Sequence, residues 1–485
     1  MHPFNPLCQT RRQALHSLSL AAACATFGLP VRSSAQSVSR EDTARLATSE
    51  RFLIRGGQVL TLDSSTGDFP AGDVLIRDGQ IVTVAEQIDV GDAEVIDATD
   101  CIVMPGFVET HWHMWNSLWR GMVADASAYF RMGSLAEHYT TEDHYTSVLY
   151  AACDAINAGI TTCHNWAHGI RNGADVEAEM RALRDAGIRA RMGYLGTLPG
   201  GPTTAAGLQA AIDWAQANGD GRITVGMLLD GAGDTLTSQV RFARDLGLKT
   251  ITDHGGLLQH PELFGPELLV THGTSLSPAA IELIAENDIK VGLCPTTDPM
   301  IGAGLPPIYA LLTGGVPLSN ISFTVDVSAQ TPADPFEMMR TLVNAGRIQQ
   351  AQTTNLMAIA QGAPEWRFTY RDALELGTRS GASVLGIADQ IGSLTPGRRA
   401  DVIMVRKDDI NMLPAPETDA AYQLVQHAQP VNVDTVIIDG RLRKHAGTLV
   451  DIDLDAVVAS AAAAQTAIRR RAGLLPPDQD DGPRA

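Results

Sequence analysis

From Phe52 to Ile102 apolar and polar residues alternate in short runs, FLIRGGQVLTL, DVLIRDGQIVTV and AEVIDATDCIVM, the period of strands with one buried face. Asp78-Gly79 between two such runs predicts a tight hairpin turn. The pattern returns in Gly397 to Val405 and in VDTVIIDGRLRKHAG, which carries its own Asp439-Gly440. Two β-rich stretches, 51–103 and 391–452, therefore predict one small sheet domain built from both chain ends. Between them, over 104–390, strand-like runs alternate with helical ones, the pattern of a parallel α/β fold. The runs are IVMPGFVETHWH, GITTCHNWAH, ARMGYLG, RITVGMLLD, KTITDHGG, ELLVTHGT, KVGLCP and ISFTVDV. Eight is the number that a (β/α)8 barrel of the TIM type requires. Residues 453–485 read as an Ala-rich helix closing on Arg469-Arg470-Arg471, followed by a polar tail.

In such a barrel the chemistry sits at the carboxyl ends of the strands, so polar residues that end the runs are the candidates. The first run ends in His111-Trp112-His113. Alternate residues of a strand point to one side, and the two imidazoles can reach one ion together. The surrounding residues, Pro105-Gly106-Phe107-Val108-Glu109-Thr110-His111-Trp112-His113, resemble the first-strand signature of the amidohydrolase superfamily, with Glu109 where Asp is more usual. The resemblance runs from about Phe52 to Val450 and is strongest to the branch of cytosine, guanine, adenosine-type and triazine deaminases. It implies a β-sandwich beside the barrel. It also implies that His254 and His272 supply the histidines of the fifth and sixth strands, and that Asp326 supplies the aspartate of the eighth. The metal set is then His111, His113, His254, His272 and Asp326, with Asp326 and His272 also catalytic.

Three neutral histidines and a carboxylate leave a divalent ion, zinc or iron, with net positive charge and an open position for water. The run RITVGMLLD contains no lysine to bridge a second ion, which favours one metal. No Gly-x-Ser-x-Gly elbow is present. One departure bears on the reaction. Related deaminases carry a Glu three residues after the fifth-strand histidine, and this chain has Leu257 there. His168, Asp298 and Asp253 are the candidate replacements, and Trp112, Trp115 and Trp119 suggest a flat or apolar substrate. The expected function is metal-assisted hydrolysis of a non-peptide carbon–nitrogen bond in a cyclic amide, amidine or heterocycle. Without the acid, amide hydrolysis is favoured over deamination. An aminohydrolase is the alternative, and a noncatalytic small-molecule binding protein on the same scaffold is the second. The residues from Trp115 to Tyr145 are expected to form either a lid or packing on the barrel rim.

The chain has 485 residues, 36 of them Lys or Arg against 55 Asp or Glu, for a net charge of −19. That balance argues against nucleic acid or an anionic membrane as a partner and leaves a small-molecule substrate. A homo-oligomer is compatible with it. Thr10-Arg11-Arg12, the Ala/Leu-rich run to Leu29 and Ser33-Ser34-Ala35 read as a twin-arginine export signal over 1–36, implying a periplasmic or secreted protein with no membrane-spanning segment once mature. Ala21-Ala22-Ala23-Cys24 fits lipidation poorly. The remaining cysteines, Cys101, Cys153, Cys163 and Cys294, lie far apart in apolar segments and are expected to be buried free thiols.

Overall fold

The structure is a computed structural model that describes residues 40–195, 205–229, 234–352, 365–415 and 419–475. The chain divides into two units, Met1–Ala44 and Arg45–Ala485, and the elements below belong to the second. The expected export segment, 1–36, and the tail beyond residue 475 lie outside the described residues.

Five strands precede the centre of the chain: β1 (Arg51–Val59), β2 (Phe69–Arg77), β3 (Gln80–Ala85), β4 (Glu94–Asp97) and β5 (Cys101–Pro105). The parallel strands follow: β6 (Phe107–Val108), β7 (Ile160–Ala167), β8 (Arg189–Tyr194), β9 (Ile223–Leu228), β10 (Ile251–Asp253), β11 (Leu268–Thr271), β12 (Lys290–Leu293) and β13 (Ile321–Phe323). Near the other end come β14 (Val402–Arg406), β15 (Val433–Ile438), β16 (Arg441–His445) and β17 (Thr448–Leu449).

Strands from both ends join one nine-stranded sheet in the order β17-β16-β15-β14-β5-β1-β2-β3, with β4 beside β1. The seam is the antiparallel pair β5 and β14, Cys101–Pro105 against Val402–Arg406. Where the resemblance implies a sandwich, the hydrogen bonds make one continuous sheet. Its buried face carries the alternate residues Phe52, Ile54, Val74, Ile76 and Val402. The two Asp-Gly turns have the left-handed backbone that tight hairpins need, φ being 51° at Asp78 and 54° at Asp439.

The other sheet has the eight parallel strands in chain order, β6 to β13, and is the curled sheet of a TIM-type barrel. Its strands are covered on both faces, so β7 and β8 are buried along their whole length. Beyond β6 the chain runs on to His113 between two neighbours. Trp112 N–H donates to His164 O (3.1 Å) on one side, while His113 N–H donates to Asp326 O (2.8 Å) and Asp326 N–H to His111 O (2.9 Å) on the other. The last strand's continuation thus returns to the first. Gly106 makes the step from one sheet to the other: a Cβ there would lie 2.2 Å from the Thr161 side chain.

Among the described residues no helix is long and apolar enough to cross a membrane. Cys101, Cys153, Cys163 and Cys294 are free and buried, as expected, and burial pushes the thiols of Cys101 and Cys153 up to about 12.

A buried ion pair ties the barrel to the mixed sheet. Arg189 in β8 donates to both carboxylate oxygens of Asp401, at 2.9 and 3.1 Å, and to Asp439 at 3.1 Å. Both Arg189 and Asp401 are buried. Removing one partner strands the other charge in a low-dielectric setting. Arg189→Met is expected to lower the unfolding free energy by about 3–5 kcal/mol, read from the denaturant midpoint. A loss under about 1 kcal/mol, the value of an exposed pair, would show the pair to be dispensable.

Candidate metal centre

The ends of four elements meet above the barrel sheet. His111 and His113 lie on the extension of β6, and their Nε2 atoms are 3.2 and 3.3 Å from the same oxygen, Oδ1 of Asp326. His254 follows β10 and His272 follows β11; their rings lie 5.7 and 5.4 Å from that of His111 and 5.3 Å from each other. All five residues assigned by the resemblance are therefore gathered at one place. Ligand atoms of His111, His113 and Asp326 lie within 4.8 Å of one another, as do those of His111, His272 and Cys294.

Two of these residues hold backbone that side-chain-bearing residues rarely adopt, with φ of 68° at His272 and 60° at Asp326. Such conformations persist where their surroundings over-determine them, and they collect at functional sites. For Asp326 the surroundings are the main-chain bonds to His111 and His113 described above. Burial alone would raise its pKa. The imidazoles of His111 and His113 that face it outweigh burial and hold the carboxylate well below its ordinary range. Burial lowers the pKa of His111 and, to about 4, that of His254, so both imidazoles are neutral at pH 7. Neutral imidazole is the ligating form.

Further groups hold the cluster: Glu109 bonds the main chain at His111, while Thr271 and Asp298 reach ring nitrogens of His254 and His272. Glu109, buried beneath His111, accepts the His111 N–H (2.8 Å), the Val325 N–H (3.2 Å) and the Thr324 hydroxyl, fastening the first strand's extension to the last. Burial pushes its carboxyl up to about 7 against those bonds. The Thr271 hydroxyl lies 3.0 Å from Nδ1 of His254, whose other face stacks on Trp166 at 4.7 Å. Asp298 lies 2.8 Å from Nδ1 of His272. Burial lowers the His272 pKa, and the bond to Asp298 with the fields of Asp326 and Asp298 turns the net shift upward.

Above the cluster opens a cavity of about 640 Å³, the size of a small-molecule site. Trp115, Trp119, Tyr129, Phe130 and Trp166 supply its aromatic walls. The segment Met114–Trp119 that carries two of these rings is a buried 3-10 helix. The Ser147 hydroxyl, on the helix Thr141–Asn157, donates to Trp115 O (2.6 Å). On the helix Leu454–Arg471, Gln465 Nε2 donates to Leu118 O (2.6 Å). This part of the expected lid is rim packing, whereas Phe130 at the mouth is 74% exposed.

Several expectations are corrected here. Trp112 turns to the opposite side of its strand, as alternation requires, and its Nε1–H donates to Ser328 (3.2 Å). It does not line the cavity. Asp298 is fully buried behind His272 and is a positioning group, not a cavity-wall acid. Asp253 spends one oxygen on the N–H groups of Gly255 (2.7 Å) and Leu257 (2.8 Å) in its own loop. Leu257 is buried and off the cavity wall. His168 does line the cavity; its Nδ1 is 2.9 Å from Nδ1 of His113 and 3.3 Å from the Trp115 Nε1–H. Sequence reasoning passed over Cys294 and Trp166. Cys294 ends the seventh strand run, so the rule that selected the histidines could have found it.

The sequence profile of the Amidohydrolase family matches residues 203–443. The chain is 27% identical over 420 residues to a 5'-deoxyadenosine deaminase of Methanobrevibacter smithii, covering 79% of this chain and 90% of that one. It is 27% identical over 454 residues to a 5-methylthioadenosine/S-adenosylhomocysteine deaminase of Desulforudis audaxviator, covering 85% and 97%. An adenosine deaminase from Xanthomonas campestris with bound zinc superposes with a TM-score of 0.72 at 21% identity, over 86% of this chain and 98% of that one. This chain belongs to the amidohydrolase superfamily. Atrazine chlorohydrolase from Arthrobacter aurescens, complexed with zinc, shares the fold with a TM-score of 0.71 at 19% identity, over 85% and 100%. As an amidohydrolase the protein is an enzyme that hydrolyses carbon–nitrogen bonds.

The depressed histidine pKa values carry a sign. His254 moves from 6.5 to about 4 on folding, so the unfolded chain binds the proton more readily. The stability this neutral ring supports is complete above pH 6.5 and is lost as pH falls toward 4. For protein stripped of metal, melting temperature should be level above pH 6.5 and decline below it, with a shallower decline in His254→Gln. Equal slopes for the two proteins would remove His254 from the account.

Proposed function

We propose that this amidohydrolase is a metal-dependent aminohydrolase that releases ammonia from an adenine-class nucleoside or similar aminated heterocycle with no phosphate. The observation that carries this reading is the placing of the histidine–aspartate cluster beneath an aromatic cavity whose described lining includes no Lys or Arg. Rings on the walls suit a flat heterocycle. The absence of cations from that described lining disfavours a phosphorylated one, whose charge would be desolvated unpaired. The named deaminase relatives support the same substrate class.

The donor set fits a divalent ion. His111, His113 and Asp326 present convergent ligand atoms, and Nε2 of buried His111 has no hydrogen-bond partner among the described residues. Zinc or iron held by His111, His113, His254 and Asp326, with His272 beside them, would make bound water a good nucleophile near neutral pH. Asp326, kept ionised, accepts the water's proton and delivers it to the departing amine. Asp298 accepts a hydrogen bond from the Nδ1–H of His272, which leaves Nε2 free to orient that water.

His168 answers the question that Leu257 raises. Trp115 can only donate, so Nδ1 of His168 is an acceptor, and the His113 contact is then a bond from His113 Nδ1–H. Nε2–H is the donor left on a neutral ring, available to a heterocycle nitrogen in place of a carboxylic acid. On this reading deamination needs no group at position 257. The competing reading, hydrolysis of a cyclic amide, needs no ring donor.

Measurements of activity and of metal content check the proposal. Ammonia release from 5'-deoxyadenosine or 5'-methylthioadenosine should exceed release from adenosine monophosphate and hydrolysis of cyclic amides such as dihydrouracil. Asp326→Asn should lower kcat on the order of a hundredfold or more. Preference for the cyclic amide would overturn the deaminase reading. Elemental analysis should find one zinc or iron per chain, because β9 offers no lysine to bridge a second. His113→Ala should lose that ion and keep the melting profile of the metal-free parent. Two tightly held ions would refute the single-metal centre.

A further inference from the structure

The opposite, amino-terminal end of the barrel holds a second cavity, of about 400 Å³. Thr162, Arg189, Arg191, Arg222, Thr224 and Lys249 line it, with Asp389 as its one acidic lining residue. These residues sit at or just before the amino ends of β7 to β10, whereas the histidine cluster follows the carboxyl ends. Barrel interiors are normally filled by branched apolar side chains. Here Arg191 enters instead, and Gly226 on the next strand makes room for its stem: a Cβ there would lie 3.1 Å from Arg191 Cδ.

The charges at this end are unevenly matched. Arg189 is satisfied by Asp401 and Asp439. Arg191 is 4% exposed, and its bonds go to uncharged acceptors: the Thr224 hydroxyl at 3.2 Å, the Thr250 hydroxyl and the Leu385 carbonyl. No carboxylate among the described residues pairs with it, and burial lowers its pKa to about 10 with nothing opposing. Arg222 is 7% exposed and among the described residues reaches only Asp220, at 3.2 Å, whose side chain is 64% exposed; its buried Nη1 has no partner among them. Lys249 stands exposed at the cavity wall, and Asp389 is likewise exposed. A buried guanidinium without a counter-charge is costly. In a chain of net charge −19, three cations facing one cavity with one exposed carboxylate among them is an arrangement that an anion would complete.

We propose that this amino-end cavity binds a phosphate group, either free phosphate or the phosphate of a small metabolite, through Arg191, Arg222 and Lys249. Guanidinium groups match phosphate oxygens with paired N–H donors, and lysine adds a mobile charge. The volume lies within the range of sites for small organic molecules, about 300–1,000 Å³, so a sugar phosphate fits as well as the free ion. Thr162 and Thr224 add hydroxyl groups to the wall.

Calorimetric titration of the metal-loaded protein with inorganic phosphate, and separately with ribose 5-phosphate, tests the site, acetate serving as the monoanion control. Saturable binding of phosphate or ribose 5-phosphate is expected, weakening with added salt. The combined change Arg222→Gln, Lys249→Ala should weaken it on the order of tenfold or more at unchanged nucleoside turnover. If that pair fails to fold, Lys249→Glu alone, at an exposed position, should produce a measurable loss. Tighter binding of ribose 5-phosphate than of phosphate would identify a metabolite as the occupant; equal binding would identify the free ion. Absence of saturable binding, or equal binding by the parent and the charge variants, would overturn the proposal.

Discussion

Asp326 is the point on which both the barrel and its chemistry depend. Its main chain bonds to His111 and His113 across the seam where the last strand returns to the first, and its side chain lies between the imidazoles of the same two residues. Closing the sheet and assembling the ligands are therefore one event. The left-handed backbone at this residue is a local strain of about 1–3 kcal/mol, held by bonds on both flanks. Glu109 extends the same seam downward by accepting donors from the first strand's extension and the last strand's extension together. A side chain of different length at either position would loosen the closure before it touched the substrate.

Around this seam the protein holds three of the imidazoles by a second nitrogen, and the partners differ in kind. A hydroxyl faces His254, a carboxylate faces His272, and another imidazole faces His113. These partners set which ring nitrogen is left for the centre and how electron-rich it is. A carboxylate makes its histidine more basic, which agrees with the upward shift at His272 against the downward shift at His111 and His254. The site thus separates residues suited to hold an ion from one suited to hold a proton near water.

How far all this was legible follows from which interactions are local. Strand period and Asp-Gly turns depend on neighbouring residues, so all eight barrel strands and both hairpins were readable, as was the drawing of one sheet from both ends. The five histidine and aspartate positions came from a motif and from chain order, and the structure gathers them. Side-chain direction across space was harder. Trp112, read with Trp115 and Trp119 as a sign of a flat or apolar substrate, is sent to the opposite face by strand alternation. Asp298 looked like an acid, and only the fold shows it spent on His272. His168 was one of three candidate replacements for the missing Glu, and only the fold shows that it lines the cavity beside a partner 55 positions away. The aromatic rim was ambiguous because packing and closing use the same side chains. Ser147 and Gln465, distant in sequence, decide for packing.

On the proposed deaminase reading, selection among substrates follows from where the Lys and Arg residues are. Guanidinium and ammonium groups gather at the amino-terminal end of the barrel, while the described wall of the upper cavity has rings and histidines and no Lys or Arg. A phosphorylated nucleoside entering the upper cavity would surrender its hydration to apolar walls and meet the carboxylate of Asp326, a penalty of several kcal/mol. A neutral nucleoside gives up far less and gains stacking on Trp115, Trp119 and Trp166. Discrimination of this kind needs no residue that recognises the correct substrate's missing charge. It arises because the described apolar wall offers that charge no Lys or Arg, so exclusion and affinity come from the same surface.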